Sequence, residues 1–166
     1  MKNTSRIATV MAAAALVVAG VSTATAQVPR INGGVSPVTA ASTTTSTLPK
    51  KAQKFIDKHF AGVAVASTEV DFPSQDIDVK LANGIEIEFS QKGELKEIET
   101  EQGSLSVDLV KSILPRETYR DLRDKGMQAC VEGIKKDKYG YKVDLNNQRY
   151  DEARYNVEGF FVAFYE

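Results

Sequence analysis

The clearest pattern in the chain is a strict alternation of apolar and polar residues over residues 76–89, interrupted once by Ala82-Asn83-Gly84. Two alternating runs around an Asn-Gly pair predict a β-hairpin. A two-residue loop would place apolar residues and glutamates on the same face. A three-residue loop with Gly84 in the left-handed conformation pairs the apolar positions with one another. The sequence therefore predicts one wholly apolar face and one charged face.

The predicted pairing also determines which charges meet. The apolar pairs are Leu81 with Ile85, Val79 with Ile87 and Ile77 with Phe89. On the other face Lys80 lies opposite Glu86, which is favourable. Asp78 lies opposite Glu88, and like charges in that position repel. An antiparallel sheet with one apolar face needs another layer packed against it.

A helical pattern precedes this hairpin and provides that layer. Pro49 is suited to the start of a helix, and Gly62 ends it. Between them, apolar residues recur at helical spacing, namely Ala52, Phe55, Ile56, His59 and Phe60. Further strands are predicted over residues 63–71 and 94–100.

The same order of patterns recurs later in the chain. Leu114-Pro115 repeats Leu48-Pro49 at a spacing of 66, and the alternation beginning at Tyr141 repeats the first at a spacing of 64. A short connecting helix is expected between the copies. We predict an α+β fold of two tandem helix-plus-antiparallel-sheet repeats, about 48–100 and 106–166, with the helices packed on one face of a joined antiparallel sheet.

The second copy leaves more than one arrangement open. Pairing Val143 with Ala153 would bring like charges together at two positions, whereas a slip that places Lys142 opposite Glu152 would relieve the repulsion. Residues 160–165 are apolar on both faces. This favours a central or helix-covered strand over an aromatic, partner-binding edge.

The N-terminus has the pattern of an export signal. Lys2 and Arg6 precede an apolar run over residues 7–21, and Ala24-Thr25-Ala26 is a small-residue cleavage site. We predict a signal peptide over residues 1–26, cleaved after Ala26, and a periplasmic or secreted protein without a stable membrane anchor.

Composition narrows the classes of partner. The 166-residue chain has a formal net charge of −1, which becomes −3 when the two basic residues of the signal are removed. A mildly acidic chain without a basic cluster argues against nucleic acid as a partner. Residues 27–47 are rich in Ser and Thr and predict a disordered tether before a domain over residues 48–166.

Three features of the sequence together resemble a known family. They are the Leu-Pro pair that begins each copy, a helix containing Phe55-Ile56, and a hairpin reading Leu-Ala-Asn-Gly-Ile-Glu-Ile-Glu-Phe. In these features the chain resembles the PepSY-like family, also called β-lactamase-inhibitor-like, over about residues 48–162. The turn at 146–148 lacks glycine, and residues 149–153 lack the expected alternation. The resemblance implies exported bacterial proteins whose two units join their sheets. It implies no catalytic residues, and similarity of fold does not transfer function.

The sequence offers few groups for catalysis. Cys130 is the only cysteine and His59 the only histidine, so no intramolecular disulfide is possible and a nucleophile–base pair would need these two residues together. An inert cysteine and a helix-end histidine touching Phe55 are the favoured interpretation. Asp71 and its neighbours have oxygen ligands for a hard cation but not the spacing of a calcium loop. We expect no enzyme, no cofactor and no metal site.

The leading functional hypothesis is a non-catalytic protein-binding or inhibitor-type module of the cell envelope. Its partner, another envelope protein, would dock on the charged sheet face. The predicted partner-facing residues are Asp78, Lys80, Glu86, Glu88, Lys142 and Glu152. The alternative is a structural or stress-related envelope protein without a specific docking partner.

Overall fold

A computed structural model describes residues 48–166. The predicted signal peptide and tether lie outside the described residues. The helices are α1 (Lys50–His59), α2 (Val107–Ile113) and α3 (Arg116–Asp124). The strands are β1 (Val65–Val70), β2 (Ile77–Leu81), β3 (Ile85–Phe89), β4 (Leu95–Thr100), β5 (Val131–Asp137), β6 (Gly140–Leu145), β7 (Glu152–Asn156) and β8 (Phe161–Tyr165).

All eight strands form one antiparallel sheet in the order in which they occur along the chain. α1 precedes β1 to β4, and α2 and α3 precede β5 to β8. Pairing of β4 with β5, with Ile98 opposite Ile134, makes the sheet continuous across its middle. The prediction of helices with a joined antiparallel sheet, and hence of an α+β fold, is confirmed.

The hairpin of β2 and β3 has the predicted register. Val79 lies opposite Ile87, and Ile77 opposite Phe89. The Gly84 amide donates a hydrogen bond of 3.0 Å to the Leu81 carbonyl. Gly84 has a φ of +80°, as the three-residue loop requires. The apolar side chains of the hairpin therefore share one face.

Helices α1 and α3 pack on that face. The Phe55 ring of α1 meets the Phe89 ring edge-on, with 5.7 Å between centroids. In α3, the Thr118 hydroxyl donates to the Gly159 carbonyl at 2.9 Å. Tyr155 of β7 is buried and donates through its hydroxyl to an Asp121 carboxylate oxygen at 3.0 Å. Each helix thus covers a different part of the sheet.

The two helix starts contact turn glycines in the same way. A Cβ placed on Gly93 would lie 2.9 Å from the Pro49 Cβ, and one placed on Gly159 would lie 2.8 Å from the Pro115 Cβ. Both distances are shorter than real Cβ contacts. The proline at the start of each helix therefore packs directly onto glycine backbone.

The hairpin of β6 and β7 adopts the unslipped register, with Val143 opposite Ala153. The slip that would place Lys142 opposite Glu152 does not occur, because it would also place Asp151 opposite the fully buried Val143. The charges are instead satisfied along each strand. The ion pairs are Lys142 with Asp144 at 3.0 Å and Arg154 with Glu152.

The prediction of a central or helix-covered final strand was wrong. β8 is an edge strand, and the side chains of Phe160, Val162 and Tyr165 are more than half exposed. Only its helix-facing side is partly covered, where Phe164 stacks on Tyr150 with 4.1 Å between centroids. An apolar run does not by itself specify whether a strand is central or at an edge.

Replacing Gly140 by alanine is expected to destabilise the fold severely. A Cβ at Gly140 would lie 2.0 Å from the Tyr155 carbonyl oxygen, and backbone on the neighbouring strand cannot move aside cheaply. We expect a loss of at least about 3 kcal/mol in the free energy of unfolding, measured by urea denaturation. Gly103→Ala is the matched control, because Gly103 also has a positive φ but open space around it. It should cost about 1 kcal/mol; equal losses would contradict the register of β6 and β7.

Candidate functional site

We call the face of the sheet opposite the helices the open face. It carries two rows of side chains. The first row, from β1 to β8, is Ser67, Lys80, Glu86, Glu99, Gly133, Asp144, Glu152 and Tyr165. The second row is Glu69, Asp78, Glu88, Glu97, Lys135, Lys142, Arg154 and Ala163. All six residues that the sequence analysis selected lie on this face. That a partner binds there stays a prediction.

Charge in the second row is divided between the two halves of the sheet. The four residues from β1 to β4 are acidic, and the three from β5 to β7 are basic. The two halves meet where Lys135 forms an ion pair with Glu97, a carboxylate that is only 4% exposed. A buried carboxylate needs such a partner, because burial without one is costly.

Lysines neutralise several of the remaining carboxylates. Lys80 contacts Glu86 at 2.9 Å and also pairs with Glu101. Lys96 contacts Asp76 at 2.5 Å and also pairs with Glu88. Each of these two lysines thus pairs with two carboxylates. Neither lysine is available to pair with a further carboxylate nearby.

Three carboxylates of the open face take part in no ion pair among residues 48–166, namely the exposed Glu69 and the half-buried Asp78 and Glu99. Burial, with repulsion from Glu88 and further acidic neighbours, raises the pKa of Asp78 to about 6. Burial, with repulsion from Glu97 and Glu86, raises the pKa of Glu99 to about 7. At pH 7 Asp78 is mostly ionised and Glu99 is about half ionised, and burial and repulsion destabilise the charged form of both.

A gap in the first row adjoins Glu99. Gly133 has no side chain, and a Cβ there would lie 3.0 Å from an Asp144 carboxylate oxygen and 3.5 Å from the Glu99 Cβ. The Asp144 carboxylate therefore lies over Gly133, beside Glu99, and fills the space that a side chain at residue 133 would take.

The candidate groups for catalysis and metal binding do not assemble into a site. His59 ends α1 and its ring lies 4.7 Å from that of Phe55, as predicted. Burial and the nearby Lys58 lower the pKa of His59. Cys130 is half-buried just before β5, and no hydrogen bond joins it to His59 in the described part of the chain. Within residues 48–166 no group of three or more acidic, histidine or cysteine side chains is placed to hold a metal ion.

A family model described as "Putative beta-lactamase-inhibitor-like, PepSY-like" matches the chain twice, at residues 39–97 and 75–161. The chain belongs to this PepSY-like family. The predicted resemblance is confirmed. The chain matches no curated protein.

Solved structures similar to this PepSY-like chain are bacterial. A periplasmic protein of unknown function from Bacteroides vulgatus is 30% identical, with a TM-score of 0.61, over 72% of this chain and 93% of its own. A protein from Bacteroides thetaiotaomicron, described as a putative calcium-regulated periplasmic protein, is 26% identical, with a TM-score of 0.62, over 74% of this chain and 93% of its own. In the described part of the PepSY-like chain, the helices are too short or too polar to cross a membrane.

Half of the charged residues on the open face escaped the sequence analysis. Those it did not select are Glu69, Glu97, Glu99, Lys135, Asp144 and Arg154. The alternation of Glu97 and Glu99 in β4 was a signal that could have found two of them. Their position beside β5 depends on which strands of the two halves pair, and no local pattern in the sequence specifies that.

Asp78→Asn is expected to stabilise this PepSY-like protein at pH 8 by about 1 kcal/mol, after allowance for solvent screening. Because the pKa of Asp78 is raised to about 6 from 3.8, its ionised form is destabilising above pH 6. That penalty disappears as the pH falls through 6 and the folded protein takes up the proton. The gain should therefore be close to zero at pH 4 in urea denaturation.

Glu94→Gln is the control for this measurement. Hydrogen bonding to Lys51 lowers the pKa of Glu94, so its ionised form is favourable in the folded protein. The control should therefore be slightly less stable than the unmodified protein at pH 8. A loss of stability in Asp78→Asn at pH 8 would contradict the account of Asp78.

Proposed function

We propose that this PepSY-like protein is an exported, non-catalytic module of the cell envelope that binds a partner protein through its open face. The observation that supports this most strongly is the pair Asp78 and Glu99. Every lysine near them is already engaged with other carboxylates, so their charge has no counterpart in the described part of the chain. A partner can supply that counterpart.

Placement in the envelope rests on two lines of support. Its solved relatives are described as periplasmic. The charged, apolar and small-residue segments of residues 1–26 have the order of an export signal. We infer that cleavage after Ala26 releases the protein into the periplasm or the medium.

The chemistry of the open face indicates a basic partner. A lysine or arginine side chain laid on the open face beside Glu99 would meet a carboxylate that has no ion pair in the described part of the chain. It would remove part of the repulsion that Glu97 and Glu86 exert on Glu99. Complementary charge of this kind speeds association and selects among partners more than it adds affinity.

The relative described as calcium-regulated makes calcium an alternative counter-charge. The open face is acidic, but calcium takes six to eight oxygen ligands from converging groups. The Asp76 carboxylate already forms an ion pair with Lys96 at 2.5 Å. We therefore propose that basic side chains of a partner supply the counter-charge. The experiment described below includes calcium chelation to test the alternative.

We further infer that the domain consists of two tandem units. The family model matches two overlapping segments, at residues 39–97 and 75–161. Pro49 packs on Gly93 as Pro115 packs on Gly159; the two prolines are 66 positions apart, and so are the two glycines. The acidic and basic halves of the open face would then correspond to the two units.

Replacing Asp78 and Glu99 together by lysine is expected to abolish partner capture. The test uses the exported protein in its native cells, with a photo-crosslinking residue at Ser67, and identifies crosslinked proteins by mass spectrometry. The partner should carry a basic surface, and capture should fall in high salt because exposed charge interactions are screened. Chelation of calcium should leave capture unchanged.

The matched control carries the same charge change elsewhere, as Asp57→Lys with Glu158→Lys, both exposed and away from the open face. It should capture the partner as the unmodified protein does. Equal capture by both double variants would contradict docking on the open face, and loss of capture on chelation would favour calcium. Absence of any specific crosslink would favour the alternative of a structural or stress-related protein.

A further inference from the structure

A groove of about 770 Å³ lies on the helix side of the protein, away from the open face. Its walls are α1, the end of α2 and the strands β4 to β6. It exists because the two covering helices lie apart. α1 packs on Phe89 of β3, whereas α3 is tied to Tyr155 of β7 and to Gly159. The strands between them are left with a partly open apolar surface.

The lining of the groove is shared between apolar and polar side chains. Apolar side chains from every wall contribute, and they are Phe55, Leu95, Ile113, Ile134 and Tyr141. Ile134 is only 2% exposed, whereas Leu95 and Tyr141 are half-buried and line the accessible part. Apolar surface in a concave site favours a ligand with an apolar body.

The rim of the groove is basic, unlike the rest of the protein. Lys51 is neutralised by Glu94 at 2.8 Å. Lys54, Lys58 and Lys136 also line the groove but form no ion pair among the described residues. Asp137, which accepts hydrogen bonds from the Tyr139 and Gly140 amides, also lines the groove, but the lysines outnumber the acidic residues of the lining and leave it with a net positive charge. They favour an anionic group at the edge of the apolar floor.

We propose that this groove binds a small amphipathic carboxylate of the fatty-acid type. Its apolar chain would lie along Phe55, Leu95 and Tyr141, and its carboxylate would meet the three unpaired lysines at the rim. The volume falls within the range of small-molecule sites, about 300–1,000 Å³. A carboxylate with a flexible chain fits both the charge and the length of such an open groove.

This proposal is independent of docking on the open face. The groove and the open face lie on opposite sides of one sheet and have no residue in common, although Lys96 of the groove pairs with Glu88 of the open face. Experiments can therefore contradict the proposal of ligand binding in the groove without contradicting that of partner capture by the open face, and the reverse.

The test titrates the exported protein with dodecanoate and with dodecyltrimethylammonium by calorimetry. The two probes share one apolar chain and carry opposite charges. Dodecanoate is expected to bind with one site per chain and about tenfold or more tightly than the cation, since tenfold corresponds to about 1.4 kcal/mol. Equal binding of the two probes would overturn the role of the lysine rim. Absence of dodecanoate binding would overturn the proposal.

Variants then locate the site. Lys54→Glu with Lys136→Glu should weaken dodecanoate binding about tenfold or more. Lys50→Glu in α1 with Lys138→Glu in the turn after β5 is the matched control, and neither residue lines the groove. It should leave binding unchanged. Ser112→Trp, at the end of α2, should block the groove without any change in charge.

Two outcomes of the variant test would overturn the proposal. One is equal dodecanoate affinity in both double variants. The other is a site that takes an amphipathic acidic peptide but not dodecanoate. Thermal unfolding of each variant checks that the fold is intact, and the changed lysines are exposed, so their replacement should not disturb the core.

Discussion

The side of each strand that faces the helices is set by the pairing of β2 with β3. A shift of β2 by one residue against β3 would expose Val79 and would turn Lys80 into the core. Burial of one such aliphatic side chain contributes about 1.5–3 kcal/mol. A favourable charge pair across strands contributes only about 0.2–1 kcal/mol. Apolar burial therefore decides the register, and the charges adapt to it.

The same balance explains why the open face holds unfavourable charges. Asp78 faces Glu88 across the strands, and Lys142 faces Arg154. The sheet tolerates these contacts because ion pairs relieve most of the repulsion at little structural cost. Lys142 pairs with Asp144 along its own strand, and Lys96 of β4 pairs with Glu88. The repulsion that no ion pair relieves within the described part of the chain is concentrated at Asp78 and Glu99.

Helices and charges are arranged so that the protein has two unlike surfaces. The open face leaves carboxylates without counter-charges, and the helix-side groove leaves lysines without them. Both result from one architecture, in which each helix covers its own part of a continuous sheet. A long sheet with two separated helices exposes one full face and a gap between the helices on the other.

Much of this could be predicted from the sequence where local patterns decide the structure. The alternation around Gly84 gave the register of the first hairpin, and the spacing of Phe55 and Ile56 gave the face of α1 that packs on the sheet. The sequence leaves the second hairpin open between two registers, because the ion pairs along each strand that offset the cross-strand repulsion depend on side-chain geometry.

Features that depend on tertiary arrangement could not be predicted. The edge position of β8 follows from the order of all eight strands, not from its apolar residues. The groove depends on the distance between α1 and α3, which neither helix specifies. The environment that distinguishes Glu99 depends on its neighbours on β3 and β5, which the sequence does not specify.

The central claim is that Asp78 and Glu99 carry charge that the described part of the chain leaves uncompensated. The most direct measurement is a pH titration of the side-chain carboxyl ¹³C resonances of these two residues by NMR. The account predicts midpoints at about 6 for Asp78 and about 7 for Glu99. Midpoints near those of ordinary exposed carboxyl groups, about 4, would contradict it.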